Sequence, residues 1–526
     1  MYFIAAAAMA QEQSSLMTLE TLIKTFREAL AILAQHVNPA AYRNHVLALF
    51  LLKRINDQVA EHSRMLEQAA LQAGRSPEEA RARAIDPDEH RWVLPPLAHW
   101  ENIKATPSNL GAALETACAE LERHNPKLLA AVLSPLRFET AGAPAVVEQH
   151  EAMLRALLGH FDQLALGEQS TAATKRVGQA AEFLLAELAH GEMKKGGSTI
   201  SANALMQLLA ELLEPAPNQR VCDPACGAGG ALLACAEYLQ QRGHSPQTLS
   251  LFGQEFDAEA WALCKMNLLL HDLLDARIVL GSTLTQPLLD EAGRLLQFDL
   301  VLAEPPFSLG EWEHEAAARS SLGRFDAGLP PARRGEFAFV QHIVATLNAN
   351  GRAAIVVPHG VLFRGGVEKQ IRAALLQPET DLVEAVIALP AGVLGHHKAH
   401  SAILILNRNK PEPRRGHVLF INAAALAPSA RAFQLDGATR LQITTLYHSY
   451  EANAELRHTH LVRAVSLAEI ATTYEYSLHV ARYISASPDD RVLNVAQALT
   501  ELQTLDQEKR AAEEEMVRLL KTLGYG

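Results

Sequence analysis

Three short stretches carry side chains of the kind that do chemistry. "VCDPACGAGG" (221–230) ends an apolar run in Asp223, passes through Pro224 and Ala225, and then offers Gly227, Gly229 and Gly230. Glycines at a strand-to-helix turn let backbone N–H groups approach a ligand closely, and a helix N-terminus favours a carboxylate or phosphate there. "FGQEFD" (252–257) places Glu255 at the tip of the next apolar run. A carboxylate in that position can accept both hydroxyls of a ribose. "LVLAEPPF" (300–307) ends a third run in Glu304-Pro305-Pro306-Phe307. Two prolines cannot donate to a sheet ladder, so the strand must stop at Glu304. An acid and an aromatic in a rigid turn at a strand's carboxyl end make a candidate active site.

These stretches need a framework that brings strand ends together. From about residue 170 the chain alternates short apolar runs with amphipathic helices. "QRVCD", "LSLFGQE", "ARIVLGS", "FDLVLAEPPF", "RAAIVVP", "LVEAVIALP" and "SAILILNRN" read as strands. "ALLACAEYLQQRG", "DAEAWALCKMNLLLHD", "GEFAFVQHIVATLNANG" and "EKQIRAALLQ" read as helices. Such alternation predicts an α/β Rossmann-like domain, a doubly wound and mostly parallel sheet over 170–425, with its ligand outside the strands' carboxyl ends. Before it, residues 18–165 carry apolar residues at three- and four-residue spacing, as in "YRNHVLALFLLKRINDQVAEH", which predicts an all-α N-terminal domain. Within a C-terminal region over 426–526, a heptad seam from Val495 to Leu523 predicts a final helix over 493–523 suited to a helical partner.

The motifs converge on one family. "YRNHVLALFLLKRIND", "KKGG", "DPACGAGG", "GQE", "PPF" and "FAFVQHIVATLNANGRAAIVVPHGVLFRGG" together resemble the modification (M) subunit of type I restriction-modification systems, an N6-adenine DNA methyltransferase. The resemblance runs from about residue 20 to the end. It implies S-adenosylmethionine as cofactor, with Asp223, Pro224, Ala225, Gly227, Gly229 and Gly230 at its methionine part and Glu255 at its ribose. It implies an adenine flipped out of double-stranded DNA, stacked on Phe307 and held by its amino group at position 304 beside Pro305 and Pro306. It also implies partners: a specificity (S) subunit that reads the DNA site, a second M subunit, and a restriction and translocation subunit that can join.

The chain departs from the family at three ligand-facing positions. Family members carry Asn where this chain has Glu304, a side chain one methylene longer. After "KKGG" the family reads Glu-Phe-Tyr-Thr-Pro, whereas Ser198, Thr199, Ile200, Ser201 and Ala202 stand here. The family's Gly-Asp-Thr-Leu, whose acid contacts the cofactor's adenine amino group, becomes Gly281-Ser282-Thr283-Leu284. A misplacement of about 1 Å can cost about 10²-fold in rate. The three changes together predict an intact scaffold with weak or absent catalysis. The competing readings are an active enzyme that uses Glu304, a non-catalytic assembly subunit of a restriction complex, and a methyltransferase for another amide or amine. The helical N-terminal domain and the terminal heptad helix argue against the last.

Composition sets outer bounds. Hydrophobic residues make up 49% and charged residues 20%, the balance of a water-exposed globular protein. The net charge of −12 is wrong for a protein that grips DNA alone, and agrees with recognition delegated to a partner. No apolar run reaches the ~18 residues of a membrane span. Five cysteines, among them Cys222, Cys226, Cys235 and Cys264 in apolar or Gly-rich settings, read as buried thiols in a reducing cytoplasm and predict no metal site. Residues 1–17 read as a disordered extension or a start placed too early. The basic loops "ARRGE" (332–336) and "NKPEPRRGH" (409–417) read as solvated faces, and the histidines of "HHKAH" (396–400) as a loop without metal.

Overall fold

The computed structural model describes residues 17–34, 43–192, 200–307, 312–390, 392–393, 400–426, 435–451 and 460–484, and six positions between 507 and 518. Nine strands form one sheet in the order β3-β2-β1-β4-β5-β7-β6-β8-β9. They are β1 (Arg220–Asp223), β2 (Ser250–Glu255), β3 (Arg277–Leu280), β4 (Phe298–Ala303), β5 (Leu347–Pro358), β6 (Val383–Ala388), β7 (Ser401–Asn407), β8 (His417–Asn422) and β9 (Val462–Ser466). The first five strands in that order pair in parallel. β7 then runs antiparallel between β5 and β6, and β9 antiparallel to β8. The expected mostly parallel α/β sheet is present, behind a helical N-terminal region.

The apolar strand runs bury both faces, as strands between two helix layers must. Along β4, Leu300 and Leu302 join one core cluster while Phe298, Val301 and Ala303 join the other; along β5, Ala354 and Val356 separate likewise from Ala353, Ile355 and Val357. Helices Ile200–Leu213, Gly230–Gln241, Ala258–Leu270 and Gly437–His448 cover the first face. Glu336–Thr346 and Val367–Leu375 cover the second. The first cluster continues without a break into the N-terminal helices Leu19–Ala34 and Arg43–Gln72, through Phe26, Phe50 and Phe161.

Three sequence expectations shift. The helix beginning at Glu336 stops at Thr346 rather than at Gly351, and β5 starts at once. Asn348 sits there with its amide donating to Asp299 Oδ1 (2.7 Å) and its oxygen accepting from the Asn350 N–H (3.0 Å), local bonds that compete with a helix. The sheet continues past β6 into β8 and β9, two strands that the sequence reading did not include. Finally, "NKPEPRRGH" is not a solvated loop throughout. Lys410 is buried on Asp381 (2.5 Å), and Arg414 is buried between Glu384 (2.6 Å) and Glu451 (2.5 Å). Arg333 and Arg334 of the other basic loop are exposed. Nearly all of 493–523, and residues 394–399 of the histidine loop, lie outside the described residues.

Arg372, in the helix Val367–Leu375, ties the segment around Tyr476 to that helix. It is 1% exposed and donates to the Tyr476 carbonyl (2.8 Å), the Val361 carbonyl (2.8 Å) and the Arg364 carbonyl (2.6 Å). Methionine would fill the volume and leave three carbonyls unpaired, one of them buried and two part-buried. Arg372→Met should therefore cost about 3 kcal/mol or more. It should lower the thermal midpoint by roughly 5 °C or more, read by calorimetry.

Candidate active site

The carboxyl ends of β1, β2 and β4 meet where the strand order reverses direction, the switch point at which open α/β sheets place ligands. Asp223 closes β1, Glu255 closes β2, and Glu304 follows β4 directly. Gly281 and Ser282 follow β3 on the same rim. Sheet order thus gathers residues that lie 81 positions apart in the chain, from Asp223 to Glu304.

The glycine turn is held open by its own backbone and by Glu255. Gly227 (φ +50°) and Gly229 (φ +88°) occupy the left-handed region. A Cβ on Gly229 would lie 3.0 Å from the Cys264 sulfur. The Gly229 N–H donates to the Cys226 carbonyl (2.7 Å), the Cys226 N–H to the Gln254 carbonyl (3.0 Å), and Asn267 Nδ2 to the Ala228 carbonyl (3.0 Å). Glu255 Oε2 accepts the Gly227 N–H (2.8 Å) and Oε1 the Asp257 N–H (2.9 Å). Each oxygen keeps a further lone pair, so both remain able to take a hydroxyl.

Two pockets open at this rim and share Glu304. One, about 460 Å³, is lined by Pro224, Ala225, Glu255, Phe256, Ser282, Leu284, Pro306, Trp312, Glu313 and Phe339. The other, about 300 Å³, is lined by Asp223, Ala225 and Gly227 with Glu182, Glu237 and Asn267. Both sizes suit a small molecule held mainly by apolar walls and a few polar groups. Pro305 is buried, and Phe307 is half-buried against the first core cluster. Ile200 and Ser201 open the helix Ile200–Leu213, rather than lying in a loop, and their side chains are outside the described residues.

Asp223 and Glu304 are hard to ionise. Burial pushes the Asp223 carboxyl up to about 7, against the Ala225 N–H bond that favours its anion, with the nearby Glu255 and Glu304 charges adding to the rise. Burial pushes Glu304 up to about 7 as well. Glu304 makes no hydrogen bond or ion pair among the described residues. A folded-state value above the unfolded one means the folded chain holds the proton more tightly. That contribution to stability is full below about 4.5 and is lost as pH rises through about 7. Glu304→Gln should thus stabilise the protein at pH 8, by up to about 3 kcal/mol, and leave it unchanged at pH 4. Thermal unfolding of both proteins at the two pH values checks this.

Sequence reasoning did not find Phe256, Asn267, Trp312, Glu313 or Phe339. Phe256 had a signal, since a large aromatic directly after a strand-tip acid is 74% exposed and lines the larger pocket. Asn267, Trp312 and Glu313 come from segments with no motif of their own, and Phe339 from a matched motif to which no ligand role was given. All five cysteines are free and buried. Among the described residues one metal-like group occurs, Glu182, Glu237 and His271. His271 Nε2 lies 3.1 Å from Glu182, and its Nδ1 bonds the Asn267 carbonyl (2.9 Å). No described helix is long and apolar enough to cross a membrane.

A parallel sheet with an antiparallel strand next to its last parallel member, a glycine turn after β1 and an acid after β2 define a methyltransferase-type α/β protein. A family model described as "N-6 DNA Methylase" matches residues 172–491, and one described as "HsdM N-terminal domain" matches 24–161. The chain is 26% identical over 453 residues to the type I restriction enzyme MjaIX methylase subunit of Methanocaldococcus jannaschii, covering 82% of this chain and 77% of that one. It is 29% identical over 361 residues to the HindI methylase subunit of Haemophilus influenzae, covering 66% and 78%. Its fold matches the type I restriction-modification methyltransferase subunit of Streptococcus thermophilus with a TM-score of 0.73 at 23% identity, over 89% of this chain and 100% of that one. The chain belongs to the N-6 DNA methylase family, as a type I M subunit.

Proposed function

We propose that this chain is the methyltransferase subunit of a type I restriction-modification complex, working on adenine N6 with a site slowed by Glu304. The observation that carries this reading is Glu304 itself. It is a half-buried carboxylate with no partner among the described residues, at the carboxyl end of β4, where two pockets meet beside Asp223 and Glu255.

The residues present fit S-adenosylmethionine. Gly227 and Gly229 leave room where a Cβ would strain the turn, Glu255 keeps two acceptors free for a ribose, and Phe256 and Trp312 offer apolar walls. When bound, that cofactor supplies an electrophilic methyl group. The chain's own part is to prepare the nucleophile. An adenine amino nitrogen attacks poorly because its lone pair is delocalised into the ring. Accepting its two N–H bonds, one at the Glu304 side chain and one at the carbonyl beside Pro305, draws that pair toward the methyl group and stabilises developing positive charge. Phe307 offers the flipped base a stacking face. Glu304 is the stronger acceptor as the anion, and its oxygens lie one methylene further out than an amide of asparagine. Both features slow the step without abolishing it.

The pH dependence follows. Methylation should rise through about pH 7 as Glu304 ionises, and the rise should shrink in Glu304→Asn. Asp223, with a similar value, faces the same rim, so a residual slope in that variant is expected. Rates of tritiated methyl incorporation between pH 5.5 and 8.5 check this.

The partners proposed are the S subunit, a second M subunit and DNA reached through the assembly, with a restriction subunit able to join. A solved assembly of a type I system includes a chain of this fold, with a TM-score of 0.61. Isothermal titration of the full chain with S-adenosylmethionine, alone and with the S subunit, tests the reading. Absence of binding in both settings would favour the non-catalytic assembly subunit.

A further inference from the structure

Glu313 lines the larger pocket six residues after Phe307, within no motif of its own, and its carboxylate is oriented by two hydroxyls. Ser282 Oγ and Thr285 Oγ1 both donate to one oxygen, Oε2, the second at 3.0 Å. No hydrogen bond to Oε1 occurs among the described residues. Glu313 precedes the short helix His314–Ala318, yet its side chain makes no cap bond to it. Helix capping therefore does not explain the acid. Its neighbour Trp312 is 5% exposed and donates from Nε1 to the Pro331 carbonyl (2.9 Å), which fixes the backbone from which Glu313 projects. Arg324 holds the facing segment in turn, donating to the Thr283 carbonyl (3.0 Å) and the Leu284 carbonyl (2.6 Å).

The pocket combines acidic groups with flat apolar walls. Phe256, Leu284, Trp312 and Phe339 supply the walls, and Glu255, Ser282, Glu304 and Glu313 supply the polar lining. An ionised carboxylate is an acceptor only. It favours a ring substituent that donates and rejects one that accepts, because two acceptors facing each other in a dry pocket leave both unpaired. Ser282 donates its single hydrogen to Glu313, so the serine orients the acid.

We infer that Glu313, positioned by Ser282 and Thr285, accepts the exocyclic amino group of the cofactor's adenine and selects amino- over oxo-purine. This rests on the cofactor reading above. It replaces one of the three apparent lesions with a displaced function: the acid absent at 282 is supplied from 31 residues further along the chain.

Binding of two ligands to the full chain tests it without any turnover. The ligands are S-adenosylmethionine and its deaminated analogue S-inosylmethionine, in which oxygen replaces the amine. The wild type should prefer the adenosyl form by about tenfold or more, and Glu313→Gln should bring the ratio close to one. Glu255→Ala should weaken both ligands and keep their ratio. Adding Ser282→Asp to Glu313→Gln should restore the preference, since a carboxylate returns beside position 313 in the same pocket. An unchanged ratio in Glu313→Gln overturns the inference while leaving the cofactor reading in place. Wild-type chain that binds neither ligand overturns both.

Discussion

Replacing Glu304 with asparagine raises methyl transfer to adenine by about 100-fold in the complex with the S subunit. Three effects add in the same direction. The amide oxygen withdraws toward the strand end by one methylene, about the 1 Å that separates a productive from an unproductive acceptor. The amide is neutral, so the desolvation that lifts the Glu304 carboxyl to about 7 disappears. Its acceptor is present at every pH, where the carboxylate is about half protonated near neutrality. Initial rates on unmethylated DNA, with S-adenosylmethionine saturating, measure the change. Since Glu304 lies at the end of β4 and makes no bond among the described residues, the substitution breaks no contact of the fold. A wild-type rate equal to or above that of Glu304→Asn would sink the view that Glu304 slows the site.

The second large effect is expected at Glu255. Glu255→Ala removes the anchor of the Gly227 N–H (2.8 Å) and of the Asp257 N–H (2.9 Å), together with both remaining acceptors for the ribose. Hydrogen bonds to a charged group contribute about 1.5–3 kcal/mol each, so affinity for S-adenosylmethionine should fall by about 10²-fold or more. Glu255→Gln keeps the shape and one acceptor, and should lose about tenfold. Titration calorimetry separates the two. If Glu255→Ala binds as tightly as the wild type, the pocket at the β2 tip does not hold the ribose.

The two outcomes bear on different parts of the reading. Glu255 concerns whether the cofactor is held, and Glu304 whether the base is activated. A chain that loses affinity in Glu255→Ala but gains nothing in Glu304→Asn would be a cofactor-binding assembly subunit. Lost affinity in Glu255→Ala together with a faster rate in Glu304→Asn would make it a slow enzyme one substitution from a fast one.

Much of this was legible in the sequence. Each strand of the parallel half is a short apolar run flanked by turn residues, a local pattern that survives without tertiary knowledge. Asp223, Glu255 and Glu304 each end such a run, and in a parallel sheet every strand points the same way, so strand-end acids share one rim. The glycine turn was legible for a similar reason, because backbone conformations at φ +50° and +88° restrict the residue type directly.

The rest was decided by contacts between distant segments. β9 reads Val-Arg-Ala-Val-Ser, with little apolar pattern of its own, and pairs only because β8 leaves an edge beside it. Lys410 and Arg414 look like a solvated basic loop in sequence. They are buried because Asp381, Glu384 and Glu451 come from other elements to meet them. Glu313 is the clearest case. Charge on an isolated acid says nothing about its partners, and the residues that orient it, Ser282 and Thr285, stand 31 and 28 positions away. Periodicity and turn residues act locally, so the strand-end acids of the candidate site could be read from the chain alone. Burial and charge are set by neighbours in space, so which acids line its pockets, and how readily Asp223 and Glu304 ionise, could be read only from the fold.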